Sequence, residues 1–206
     1  MPDWALYALA SGAGYLAGSI PFGLVLTRAA GLGDIRTIGS GNIGATNVLR
    51  TGRRDLALAT FLLDSLKAGL AALALTYAGG REAGFIAGAA AFIGHCYPVW
   101  LNFRGGKGIA TYAGLLAFVT PLKGLVVAAP VWLGLFALTR ISSLSALAAA
   151  AVVPPGTYLM GERHPLILGG LTLLSLFVFW THRANLGRLL KGTEPRFGAP
   201  KAKSED

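Results

Sequence analysis

The sequence has one cysteine, three histidines and nine acidic residues in 206 positions. The lone Cys96 excludes an internal disulfide and a thiolate metal cluster. No His, Cys or Asp grouping has metal-ligand spacing and no G-x-S-x-G elbow is present, so no metal and no cofactor is expected. Charge is scarce as well. Only 13% of residues are charged and 54% are apolar, with a mean hydropathy of +0.60. Soluble domains carry about a quarter charged residues, so this composition belongs to a membrane protein. The net charge of +9 does not argue for nucleic acid, because apolar runs divide the basic residues into short loops. That pattern reads as topology and an anionic ligand.

What is present is a series of apolar runs. Residues 4–26 cross a hydrocarbon core of about 30 Å at 1.5 Å per residue. No basic segment precedes this run and no A-x-A site follows it, so it reads as a retained span and not a signal peptide. The next loop carries Arg28, Arg36, Arg50, Arg53 and Arg54 against Asp34, which places it in the cytoplasm and the N-terminus outside. Residues 56–77 form a second span holding Asp64 and Lys67 at i,i+3, a pair expected to face the bundle interior and serve structure. Gly79-Gly80-Arg81-Glu82 is an outer turn, and residues 83–101 return inward.

The run from 109 to 138 is long enough for one span or two short ones. A break at Thr120-Pro121-Leu122-Lys123-Gly124 makes it a hairpin and keeps Arg140 inside. Spans 143–160 and 166–181 follow, around the turn Gly161-Glu162-Arg163-His164. The basic tail with Arg183, Arg188, Lys191, Arg196, Lys201 and Lys203 then lies in the cytoplasm, giving 14 Lys and Arg inside, three outside and one within a span. The expectation is one all-α integral membrane domain over 1–206. It has seven transmembrane helices, an outer N-terminus and a cytoplasmic C-terminus with a tail from about 182; the fourth and fifth spans are short. No internal repeat stands out.

Two polar islands interrupt the apolar background. Gly39-Ser40-Gly41-Asn42-Ile43-Gly44-Ala45-Thr46-Asn47-Val48-Leu49-Arg50 has glycines that admit a ligand close to the backbone. Ser40, Asn42, Thr46 and Asn47 add short donors and acceptors, and Arg50 a planar fork for phosphate. Arg104-Gly105-Gly106-Lys107-Gly108 leads into a helix starting at Ile109-Ala110-Thr111, which offers backbone N–H groups, a helix N-terminus and an ammonium together. Either island alone reads equally well as a topogenic loop. All the donor-rich loops (39–50, 104–111, 140–145 and 182–196) fall on the expected cytoplasmic side, while the outer turns look chemically plain. A phosphate ligand follows from that one-sidedness.

Other polar residues have both structural and functional readings. His95, beside Cys96-Tyr97-Pro98, suits helix packing at a proline kink as well as catalysis. His182 and Asn185 share a helix face at the interface. Glu194 suggests an ion pair with Arg196. Ser142, Ser143 and Ser145 are candidates to cap the sixth span, with one hydroxyl also lining the site.

The segments Gly18-Ser19-Ile20-Pro21-Phe22-Gly23, Gly39 to Arg50, His95 to Thr111, and His182-Arg183-Ala184-Asn185 with Glu194 resemble, in order, the motifs of the PlsY family over about residues 15–195. These are bacterial acyl-phosphate:glycerol-3-phosphate acyltransferases of the inner membrane. The HxxxxD pairing of the common glycerolipid acyltransferases is absent. The resemblance implies acyl phosphate and glycerol 3-phosphate as substrates, transfer to the sn-1 hydroxyl without an acyl-enzyme, and lysophosphatidic acid and phosphate as products. It also implies functional coupling to the enzyme that supplies acyl phosphate. The other partner expected is the lipid bilayer, and the distribution of charge already argues against nucleic acid. By match to the motifs, Arg50 and Lys107 bind phosphate and Gly105, Gly106 and Gly108 shape the loop. Ser40 with Asn42 holds the reacting groups, and His182 with Asn185 completes the glycerol 3-phosphate pocket. The catalytic set is Ser40, Arg50 and His182. Thr46, Asn47 and Ser143 join the binding set. Either His182 or a substrate phosphate takes the proton. A transporter for a phosphorylated metabolite is the rival class, disfavoured because no second half mirrors the first.

Overall fold

The computed structural model describes residues 2–198, so Lys201 and Lys203 of the tail lie outside the described residues. Among the described residues every regular element is helical. The elements are α1 (Asp3–Gly18), α2 (Phe22–Ala29), the short α3 (Ala45–Val48), α4 (Arg54–Cys96), α5 (Ile109–Val119), α6 (Lys123–Thr139), α7 (Ser142–Leu159), α8 (Pro165–Thr181) and α9 (Arg183–Leu190).

Straight, the 43 residues of α4 would run about 65 Å. Yet Lys67 Nζ lies 3.0 Å from His95 Nδ1, 28 residues further on. The helix therefore folds back on itself. The reversal is at Gly79 and Gly80, the latter at φ +84°, and divides α4 into antiparallel arms, 54–78 and 81–96.

Small residues let the helices approach closely. Gly14 and Gly18 of α1 lie against the backbone of Ala87 and Ala91, and a Cβ at either glycine would collide with it. The i,i+4 spacing on both sides makes this a small-residue seam of the kind that joins helices in lipid. The main core lies deeper, where Phe92 stands edge-on to Tyr112 and Phe177 with ring centroids 5.9 Å apart. Leu115, Val153, Ile167 and Leu171 complete it. Outward faces stay apolar: Tyr77, Leu138 and Leu159 are all more than 80% exposed, which suits lipid rather than water.

Two stretches, Asp3–Ala29 and Arg54–Leu101, are long and apolar enough on their own to cross a bilayer. The first is not one smooth helix. It breaks between α1 and α2 at Ser19-Ile20-Pro21, where proline removes a backbone donor. Helix α5 ends at Val119 and α6 begins at Lys123, so the chain breaks within the expected 120–124 segment. At 11 residues α5 rises about 16 Å, half a hydrocarbon core.

The end of the bundle carrying the turns near 79–82, 120–122 and 161–164 is not chemically plain. Arg81 pairs with the buried Glu162 and donates to Val119 O at 3.0 Å. Tyr7 Oη donates to Glu82 at 2.6 Å, and His164 Nε2 lies 3.2 Å from the same carboxylate. The expectation of inert turns fails because tertiary packing gathers residues that are each unremarkable in sequence.

Candidate active site

The first island is a self-supporting loop. Asn47 is buried, and its amide donates to Ile35 O (2.9 Å), Asn42 O (2.8 Å) and Ile38 O (3.2 Å), while its Oδ1 accepts from Ser40 N at 3.0 Å. Asn47 thus organises the loop and has no group left to offer a ligand. Asn42 Oδ1 accepts from Gly44 N at 2.9 Å. Ser40 and Arg50 are exposed, Thr46 is half-buried, and Arg50 folds over Gly39, where a Cβ would run into its side chain. Asp34 neutralises Arg28 and Arg36, and Asp55 neutralises Arg53. Among the described residues Arg50 has no carboxylate partner.

The second island is strapped to the end of α4. Gly105 N donates to Cys96 O at 3.1 Å and Gly106 N to His95 O at 2.9 Å. Those two amides are therefore not free for phosphate, contrary to expectation, and the glycines serve close packing on α4 instead. The amides of Lys107 to Thr111 donate to no acceptor among the described residues. Thr111 Oγ1, one turn into α5, is buried without a hydrogen-bond partner.

Lys107 joins the last segments to this loop. Its Nζ donates to Asn185 Oδ1 at 2.6 Å, and Asn185 donates to Glu194 Oε1 at 2.6 Å. Ser143 Oγ donates to the same oxygen at 2.6 Å, and Arg188 Nε to the other at 2.7 Å. The ion-pair partner of Glu194 is thus Arg188 and not Arg196, because Thr193 N turns back onto Arg188 O at 2.9 Å. Ser143 also does not cap its helix: the residue before α7 is Ile141, with no side-chain cap.

The charges of this cluster are tuned by burial and by one another. Burial pushes Lys107 down to about 8; Glu194 opposes this, while Arg188 and Arg50 add to it. The two islands adjoin, because Leu101, just before the second, packs against the cluster of Leu24, Ile35, Val48 and Ala57 that supports the first. Burial would raise the Glu194 carboxyl, but the hydrogen bonds from Ser143, Asn185 and Arg188 outweigh it and hold the group low. His182, at the joint where α8 turns through 63° into α9, is pushed down to about 4 by burial and the Lys107 charge. Its Nδ1 lies 2.9 Å from Val178 O, which requires the proton there and leaves Nε2 as an acceptor.

The structure thus brings together Lys107, Gly108, Ser143, His182 and Asn185, with Ser40, Asn42 and Arg50 on the adjoining loop. Sequence reasoning missed that His95 joins Asp64 and Lys67. Lys67 is 12 residues before Gly79 and His95 is 15 after Gly80, so the hairpin itself was the available signal.

The family model for glycerol-3-phosphate acyltransferase matches residues 8–192. The chain belongs to the glycerol-3-phosphate acyltransferase family. The acyltransferase is 82% identical over 201 residues to a glycerol-3-phosphate acyltransferase of Hyphomonas neptunium, covering 98% of this chain and 97% of that one. It is 58% identical to one from Maricaulis maris, covering 97% and 91%. It also superposes on the crystal structure of PlsY (YgiH), an integral membrane glycerol 3-phosphate acyltransferase in its glycerol 3-phosphate form. The TM-score is 0.86 at 35% identity, covering 93% of this chain and 96% of that one. Against the lysophosphatidic acid form the TM-score is 0.85. The acyltransferase is therefore a PlsY-type bacterial membrane enzyme of phospholipid synthesis.

Proposed function

We propose that the enzyme transfers a fatty acyl group from acyl phosphate to the sn-1 hydroxyl of glycerol 3-phosphate, giving lysophosphatidic acid and phosphate. The observation that carries this reading is that two separate glycine loops, one bearing Arg50 and the other Lys107, adjoin through Leu101 packed on the cluster of Leu24, Ile35, Val48 and Ala57. Two phosphorylated substrates call for two such cations.

Direct transfer without an acyl-enzyme fits the available nucleophiles. Ser40 Oγ has only Asn47 as a side-chain partner, Ser143 is tied to Glu194, and Cys96 is buried. Among the described residues no hydroxyl or thiol is hydrogen-bonded to a histidine base except Thr181, whose hydroxyl is engaged by Val178 O and Lys107 O. Acyl phosphate carries its own leaving group, so positioning and charge neutralisation suffice. His182, near 4, is a weak base. Phosphate, with a second pKa of about 6, is the better proton acceptor. His182 Nε2 then orients the attacking hydroxyl and the departing phosphate takes the proton. Arg50 grips that phosphate, Ser40 and Asn42 hold the reacting groups with Thr46 beside them, and Lys107 with Asn185 and the open amide of Gly108 receives glycerol 3-phosphate, on a loop that Gly105 and Gly106 hold against α4.

The acyl chain has a place beside the site. An apolar cavity of about 120 Å³ lies between α5, α6 and α7, lined by Ile109, Tyr112, Trp132, Ala146 and Val153. Ile109 is two residues from Lys107 and Ala146 three from Ser143, so part of the cavity's lining neighbours the polar groups along the chain. Seven spans, with the N-terminus outside and the site facing the cytoplasm of the inner membrane, place both substrates where synthesis of acyl phosphate by a coupled enzyme would deliver them.

Purified protein in micelles, given acyl phosphate and glycerol 3-phosphate, should release phosphate and form lysophosphatidic acid. Turnover without a membrane barrier excludes transport. No phosphate release, or release without an acylated glycerol 3-phosphate, would overturn the reading.

A further inference from the structure

The buried Asp64–Lys67–His95 cluster has no task in the reaction as described. An ammonium carries three N–H donors and no acceptor. Lys67 Nζ has three partners in reach: Asp64 Oδ1 at 2.6 Å, Ile20 O at 2.8 Å and His95 Nδ1 at 3.0 Å. Every proton is used, so His95 Nδ1 accepts and the ring proton sits on Nε2. Asp64 agrees with this arrangement. Its Oδ1 is 3.6 Å from His95 Nδ1, beyond hydrogen-bonding distance, and so claims no proton from that nitrogen. The result is a neutral imidazole beside a closed ion pair, with all three side chains at most 4% exposed.

The other edge of the ring faces the second glycine loop. A Cβ on Gly106 would collide with His95 Nε2, and one on Gly105 with His95 O. Gly106 N donates to that same carbonyl at 2.9 Å. One histidine therefore provides both the floor and the anchor for the residues just before Lys107. Stability alone does not account for the cluster, since apolar residues of similar volume commonly replace a buried ion pair at no loss. Orientation of the ring does. Lys67 also satisfies Ile20 O, a carbonyl at the break between α1 and α2, so the same ammonium ties that break to the loop.

Resting on the site proposed above, we infer that His95 is a positioning residue. Locked as the neutral Nε2–H tautomer by Lys67 and Asp64, it sets the Gly105–Gly106 backbone and through it the place of Lys107.

The test begins with ¹⁵N-histidine-labelled protein in micelles, His95→Asn serving to assign its signals. The parent should show an unprotonated Nδ1 and a protonated Nε2 across about pH 5 to 8, where a free histidine titrates. The second arm is the double variant Asp64→Leu/Lys67→Met, which removes the lock without stranding a charge. It should fold, raise KM for glycerol 3-phosphate about tenfold or more, and lower kcat by less. A protonated Nδ1 in the parent, or a folded double variant with the parent's KM, overturns the inference. If the double variant does not fold, the parent spectrum decides alone. A parent that transfers no acyl group overturns the proposed function, which the spectrum does not depend on, so the two failures are told apart.

Discussion

Lys107 Nζ donates to Asn185 Oδ1 at 2.6 Å, a bond that joins the loop before α5 to α9 across 78 residues of sequence. Through Asn185 it reaches Glu194, and through Glu194 it reaches Ser143 and Arg188. The ammonium proposed to hold a substrate phosphate is thus aimed by groups from three separate segments.

That arrangement predicts a pH limit. With Lys107 lowered to about 8, its charge is present below that value and lost above it. The affinity for phosphate should fall accordingly, and kcat/KM, which reports the free enzyme, should drop as pH rises through about 8. Lys107→Ala should raise KM for one phosphorylated substrate with a smaller fall in kcat, and should abolish that limb. A limb that persists in Lys107→Ala would assign it to another group.

Glu194 predicts behaviour at the acid end. Its folded pKa is depressed, so its stabilising contribution is present above the unfolded carboxylate value of about 4.3 and is lost as pH falls through the folded value. Glu194→Ala leaves Ser143, Asn185 and Arg188 without their acceptor and should lower stability by about 1–3 kcal/mol at pH 7. Thermal melts of parent and variant at pH 7 and at pH 3 check this, with the gap narrowing at the lower pH.

How much of this was legible beforehand depends on whether the signal was local. The reversal at Gly79–Gly80 and the break after Val119 could be read, because glycine and proline punctuate an apolar run. The interruption at Ser19–Pro21 was hidden inside an apolar stretch, and its Ile20 carbonyl is satisfied by Lys67 from a different helix. Asn47 was assigned to a ligand because a polar side chain in a glycine loop looks available, and only its burial shows that the loop consumes it. Glu194 was paired with Arg196 by sequence proximity, while a turn at Gly192–Thr193 brings it back beside Arg188.

The pair Asp64–Lys67 predicts non-additive folding. Removing one partner leaves a charge alone in the bundle, at a cost of about 3–5 kcal/mol. Asp64→Asn and Lys67→Met should each reduce folded yield, and the apolar double replacement should recover much of it. Size-exclusion profiles in detergent decide the matter; an additive double variant would mean that the two charges do not depend on each other.

Topology has its own check. The 120–122 break and the turn at 161–164 are held at one end of the bundle, with Arg81 reaching both Val119 O and Glu162. If the site faces the cytoplasm, that end faces out. A cysteine at Lys123, in a Cys96→Ser background, should react with an impermeant thiol reagent from the periplasmic side. Labelling only from the cytoplasm would overturn the span count.

Arg50 separates charge from geometry. It is exposed, lies over Gly39 and has no carboxylate partner among the described residues, so its five N–H donors remain open for a ligand. Lys107 differs: it is already held in place by Asn185, which suits a phosphate whose charge is constant through the reaction. In the proposed reaction the phosphate on the acyl donor gains charge as the acyl–oxygen bond breaks, and an exposed planar fork is free to strengthen two hydrogen bonds to it as that happens. Loss of Arg50 should therefore fall mainly on kcat, by about 10²–10³-fold, the range seen when one oxyanion donor is removed. Arg50→Lys should not restore it, because an ammonium keeps the charge but cannot grip two oxygens in one plane. Steady-state kinetics with acyl phosphate varied and glycerol 3-phosphate saturating read this directly. An Arg50→Lys enzyme with near-parental kcat would show that charge alone suffices, and the division of labour between the two loops would have to be given up.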